Sequence, residues 1–188
     1  MSYSDNKKKG WSTRSVLGTF AVAGVAIGPL WSSFQPVKHT AYKDDAGKPA
    51  ICFGHTKNVK MSDTATDAQC QAFLEQDYTD AVTFVITQSP AIINHTNRLK
   101  AASHYTISRG QDAYAQSPML DAFKKEQWAA GCKAFAGYDI HYRYKFKRFG
   151  AECTQQKDKT WVCAEPSLIA ARKNEMKLCL TPSNRSIS

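Results

Sequence analysis

Six cysteines in 188 residues, at positions 52, 70, 132, 153, 163 and 179, constrain this chain more than any other feature. The count is even and no two form a C-x-x-C pair. That argues for disulfides in an oxidising compartment and against a zinc site. The rival, a cytosolic protein with buried free thiols, gains no support from the spacing. Cys153 and Cys163 bracket the polar run "TQQKDKTW", which suits a locally closed loop on a short antiparallel return. For the other four cysteines, spacing alone leaves the partners open.

The N-terminus points to the same side of a membrane. "MSYSDNKKKGWSTRS" (1–15) is polar and basic, and "VLGTFAVAGVAIGPLW" (Val16–Trp31) comes next without a charge. Basic residues before an apolar run hold that end in the cytoplasm and send the chain beyond the run outward. The run falls short of the roughly 20 residues that span a bilayer comfortably. It is also rich in Gly and Ala, so it is expected to act as an uncleaved signal anchor that grips weakly. A cleaved signal peptide is the main rival. Cutting after the "AVA" at Ala21–Ala23, however, would leave too short an apolar core.

A formal net charge of +9 and a pI near 9.3 favour polyanionic partners in general. No Lys/Arg run sits in a known nucleic-acid motif, so nucleic acid is not an expected partner. His39, His55, His95, His104 and His141 share no ligand spacing, so neither a metal nor a cofactor is expected.

Along the chain, "AYKDDAGKPAICFG" reads as two strands joined by turn chemistry at Gly47 and Pro49. Thr66-Asp67-Ala68-Gln69 has the form of a capping box. The apolar spacing beyond it predicts a long helix from about Asp67 to Thr87, ended by Pro90. "TNRLKAASHYTISRG" predicts a helix closed by Gly110, and "SPMLDAFKKEQWAAGCKAFAG" one or two short ones. In "IHYRYKFKRF" the period becomes two, with Ile140, Tyr142, Tyr144 and Phe146 on one face, and this predicts a strand. "KTWVC" should return antiparallel to it. "EPSLIAARKNEMKLCL" predicts a last helix with Pro166 in its first turn.

These residues resemble the phage-type lysozymes of glycoside hydrolase family 24, and among them the lambda-like endolysins with a signal-anchor-release segment. The resemblance rests on "AYKDDAGKPAICFGHT", with its Tyr-x-Asp, Gly and Gly-His pattern, and on "TDAQCQAFLEQD". It extends to "SLIAARKNEMKLCL", which keeps Arg172 and Glu175. It implies a lysozyme-like α+β fold, a small β-hairpin lobe on a mainly helical body. It also implies the pairings Cys52–Cys70 and Cys132–Cys179, with Cys153–Cys163 left to staple an extra hairpin at about 138–164. The expected organisation is a basic tail (1–15), an anchor (16–31), the lysozyme-like domain (32–180) and a polar tail (181–188).

The family's catalytic Glu, Asp and Thr positions fall on Gln35, Asp44 and Ala50, so only the Asp is kept. Pro36 stands where the family has Gly, and Ser108-Arg109-Gly110 where it has Asn-x-Gly. Glycoside hydrolysis needs an acid to protonate the leaving oxygen and a second carboxylate for the water or the cation. Glutamine has no proton to give, and no Glu precedes Glu75 to replace it. Tyr42, His55, Ser108 and Arg172 remain as candidate binding residues, with His55 favoured as a structural partner. Tyr142, Tyr144, Phe146 and Trp161 could stack a sugar or meet a partner, or equally pack the hairpin on the body with its Lys/Arg face in water.

The expectation is therefore an endolysin-like protein directed at peptidoglycan, with muramidase chemistry lost or strongly reduced. It would sit at the host inner membrane through Val16–Trp31 and in the periplasm. An active endolysin with a rearranged site, and a virion structural component that meets another phage protein, are the two rival readings.

Overall fold

The computed structural model describes residues 37–44 and 47–182. The basic tail, the apolar run, Gln35, Pro36, Asp45 and most of the polar tail lie outside them. The chain divides into two compact units, Met1–Thr79 and Asp80–Ser188.

In the first unit, β1 (Lys38–Lys43) pairs antiparallel with β2 (Pro49–Cys52), with Tyr42 opposite Ala50 and Lys43 opposite Pro49. The turn between them closes on Asp44, whose N–H donates to the Lys48 carbonyl at 2.9 Å. Gly47 takes φ +77 there, a conformation that favours glycine. Helix α1 (Asp67–Gln88) begins where its capping box requires. Gln69 N–H donates to Thr66 Oγ1 at 3.3 Å, and Thr66 N–H donates to Gln69 Oε1 at 2.8 Å. Two of the helix's orphan donors are thus satisfied reciprocally. Ile51, Cys52 and Cys70 form the unit's buried centre, with Val37, Val59 and Phe73 packed on it. The Cys52–Cys70 disulfide ties β2 to the first turn of α1.

The second unit holds the end of α1, a 3-10 turn at Pro90–Asn94, and helices α2 (Thr96–Arg109), α3 (Gln111–Ala115), α4 (Pro118–Lys124) and α5 (Trp128–Lys133). Gly110 at φ +90 ends α2 and starts α3. Ser117 caps α4 by accepting from Leu120 N–H at 3.2 Å. Leu99, Tyr105, Tyr114, Leu120, Phe123 and Phe135 fill the core. Gly131 is required by packing, because a Cβ there would lie 2.3 Å from a Phe123 ring carbon. The last helix, α6 (Pro166–Leu180), packs on α2 and is joined to α5 by Cys132–Cys179.

One sequence expectation needs correction. The strand expected across 140–149 is only β3 (His141–Tyr144), and the simple hairpin is a three-stranded sheet. An added strand, β4 (Cys153–Gln155), takes one edge, and β5 (Trp161–Ala164) lies centrally between it and β3. Tyr144 and Gln155 both pair with Trp161 at the end of the ladder. Alternation continues to Phe146, but past Tyr144 no neighbouring strand supplies hydrogen bonds. Cys153–Cys163 therefore joins β4 to β5.

Candidate functional site

The turn that joins β1 to β2 brings Tyr42, Asp44 and Ala50 together. Asp44 is half-buried, and its Oδ1 accepts the Lys48 backbone N–H at 2.8 Å. The carboxylate thus helps close its own turn, as Asp often does where it can bond the backbone a few residues on. Lys38 Nζ sits 3.8 Å from the centre of the Tyr42 ring. Directly across the ladder, Ala50 is fully buried and offers only a methyl group. Gln35, the third position of the constellation, lies outside the described residues.

His55 comes after β2 and bridges back to it, exchanging two backbone hydrogen bonds of 2.9 Å with Ile51. Its Nδ1 lies 2.9 Å from both carboxylate oxygens of Asp77, and its ring stacks on Phe73 with centroids 4.4 Å apart. It is 7% exposed. A ring so enclosed, with its polar edge already spoken for, acts as a tie between β2 and α1.

The remaining described acids of this unit also have partners. Asp63 accepts Lys60 N–H at 2.8 Å, Asp67 lies 2.8 Å from His39 Nε2, and Glu75 accepts from Gln71 at 3.3 Å. Asp63 and Glu75 bond within the loop and the helix that carry them, and Asp67 joins the start of α1 to β1.

Ser108 and Arg172 meet in the second unit. Arg172 Nη2 donates to Ser108 Oγ at 3.1 Å and to Glu175 Oε1 at 2.8 Å. Its Nε faces Glu175 Oε2 at 2.7 Å as an ion pair without hydrogen-bond alignment. The guanidinium stacks on Tyr105 at 4.4 Å and has no exposed surface. Burial pulls its pKa below the usual value, and the charge of Glu175 opposes that fall. His104 Nδ1 completes the cluster 2.6 Å from Glu175 Oε1. Arg172 therefore ties α6 to α2 from the inside and presents no charge to a ligand.

Sequence reasoning missed a second network beside it. Arg109 donates from Nε and Nη2 to the two oxygens of Asp139, both at 2.6 Å, and Tyr105 donates to Asp139 Oδ2 at 3.0 Å. Arg109 also bonds the Tyr142 hydroxyl and lies over the Tyr142 ring. Burial works against the Asp139 carboxylate, but the hydrogen bonds and charge of Arg109 outweigh it and hold its pKa low. Nothing local in the sequence links positions 109 and 139.

Among the described residues no cluster of His, Cys, Asp and Glu has metal-holding geometry, and no helix is long and apolar enough to cross a membrane.

Comparison with known proteins supports both the lysozyme-like fold and the family resemblance of the hairpin. The family model described as phage lysozyme matches residues 32–147. A SAR-endolysin of Pseudomonas phage phiKMV is 28% identical over 146 residues, covering 78% of this chain and 81% of that protein. The solved muramidase domain of SpmX from Asticaccaulis excentricus aligns with a TM-score of 0.62 at 21% identity, covering 81% of this chain and 93% of that one. The active form of the P1 phage endolysin Lyz aligns with a TM-score of 0.61 at 14% identity, covering 90% and 94%. At these identities the structural likeness is one of fold.

Proposed function

Since the chain belongs to the phage lysozyme family, we propose that it is an endolysin-like protein directed at bacterial peptidoglycan, which it binds without cleaving. The observation that carries this reading is position 35, where a glutamine stands at the family's acid position and no Glu precedes Glu75. Without a positioned general acid the leaving oxygen departs unprotonated, a loss of about 100- to 10,000-fold in rate. Ala50 removes the hydroxyl that in the family helps hold water beside the Asp. Asp44 is then left without either of the groups it would work with.

Two further observations support the reading. Each other described acid of the hairpin unit has a hydrogen-bond partner close by, so none is set aside as a substitute proton donor. The chain's net charge of +9 suits an anionic wall. We place its site of action in the periplasm, reached from a weak inner-membrane anchor at Val16–Trp31. The name of the phiKMV relative supports that placement.

The test is release of reducing sugar ends from purified peptidoglycan, alongside co-sedimentation with intact sacculi. The expected result is binding to sacculi with turnover no greater than buffer. Clear turnover that disappears in Asp44→Asn would show an active muramidase and overturn the proposal.

A further inference from the structure

Phe146 and Phe149 are 81% and 107% exposed, on the loop that leaves β3 and enters β4. Together with Met61 and Leu180 they are the large hydrophobic side chains left in water among the described residues. Two exposed phenylalanines three residues apart on one short loop offer more apolar surface than a single exposed residue, which would need no account. Cations surround them. Lys145, Lys147 and Arg148 share the loop, and the β4–β5 turn adds Lys157 and Lys159. The sheet register puts that turn at the same end as Lys145, where Tyr144 and Gln155 flank Trp161, and the loop runs from there to the other end, where Cys153 pairs with Cys163.

The acids nearby offset only part of this charge: Glu165 pairs with Arg148 at 3.5 Å and Glu152 shares the loop, which leaves the four lysines in excess. Asp158 is held by Arg143 at 2.9 Å and by Thr160 at 2.6 Å, and Glu165 accepts the Tyr144 hydroxyl at 2.7 Å. The rings that could stack a sugar each already carry a cation over one face. Lys147 lies 5.5 Å from the Trp161 ring, Arg148 5.2 Å from Tyr144 and Arg109 4.8 Å from Tyr142. Phe146 and Phe149 remain, with a purely apolar surface and no hydroxyl or N–H to orient a glycan.

We infer that the 145–152 loop and the adjoining β4–β5 turn bind an anionic phospholipid surface. Phe146 and Phe149 enter the headgroup boundary, while Lys145, Lys147, Lys157 and Lys159 stay at the level of the lipid phosphates. Aromatic side chains favour that boundary, and each nearby cation adds attraction to an anionic leaflet. Neither signal alone anchors firmly, but the two together do. The strand ladder and the Cys153–Cys163 staple hold the strands that frame the loop, so little order must be gained on binding. This contact is separate from the apolar run at Val16–Trp31 and would act when that run does not.

Full-length protein is tested on vesicles of phosphatidylcholine alone and with phosphatidylglycerol, by co-sedimentation and by amide hydrogen exchange. Exchange in 145–152 should slow with the anionic vesicles and stay unchanged with the neutral ones. Phe146→Ser with Phe149→Ser should weaken anionic-vesicle binding about tenfold, and added salt should weaken it in the unaltered protein. Unchanged exchange in 145–152 on anionic vesicles would overturn the inference without involving any variant. So would a double variant that loses sacculus binding or self-association while its vesicle binding stays intact. Those results would give the patch to the wall or to a second copy of the chain.

Discussion

The two compact units differ in how deeply they bury their most enclosed charges. In the hairpin unit Asp44 and Asp63 bond within their own turn and loop, and Asp77 reaches His55 from a part-exposed position. In the helical unit two charge networks are sunk into the packing, Arg172–Glu175–His104 and Arg109–Asp139–Tyr105. A polar group that only closes a turn can be exchanged at small cost, whereas one partner of a buried ion pair cannot. The difference teaches why the first unit's fold would persist if, as proposed, its catalytic positions are replaced. The strand pairing, the capping box and the Cys52–Cys70 bond do not use the side chain of position 50.

If that contrast holds, stability should fall most where charge is buried. Glu175→Gln leaves the enclosed Arg172 guanidinium without its counter-charge and should cost about 3–5 kcal/mol, read from the urea midpoint. A loss below about 1 kcal/mol would mean that the pair is more hydrated than its burial implies. Asp139→Asn breaks a bidentate pair that is only partly exposed and should cost about 2–3 kcal/mol. The same carboxylate supplies a pH signature. Its folded pKa lies below the ordinary 3.8, so its contribution is complete above that value and is lost as pH falls through the folded one. The acid limb of a stability–pH curve should therefore flatten in Asp139→Asn.

Substitutions in the hairpin unit should be milder. Asp77→Ala frees the buried edge of His55 and should cost about 1–2 kcal/mol. Asp44→Asn keeps an oxygen for the Lys48 N–H and should shift the midpoint by no more than about 0.5 kcal/mol. An Asp44→Asn loss as large as that of Glu175→Gln would erase the distinction between the units.

Legibility in the sequence divides in the same way, between local and distant. The capping box at Thr66, the stop at Gly110 and the Pro166 start were legible because each is written within a few residues. Alternation beyond Tyr144 misled, since period two marks a strand only where a partner strand exists, and here the chain turns away. The strand β4 was invisible because three largely polar residues carry no pattern. The Cys52–Cys70 and Cys132–Cys179 bonds became legible only through family resemblance, and the Arg109–Asp139 pair, joining distant segments, not at all. In the candidate site, Tyr42, Asp44 and Ala50 were placed by motif, but the enclosure of Arg172 was not. A guanidinium reads as a surface charge until its surroundings are known.

The central claim is that a fold of this family persists here without its proton donor. The most direct test compares reducing-end release from purified peptidoglycan by the native chain and by Gln35→Glu with Ala50→Thr. The account predicts no turnover by the native protein and a gain of at least about 100-fold over that background in the double variant. Turnover by the native chain equal to that of the double variant would contradict it.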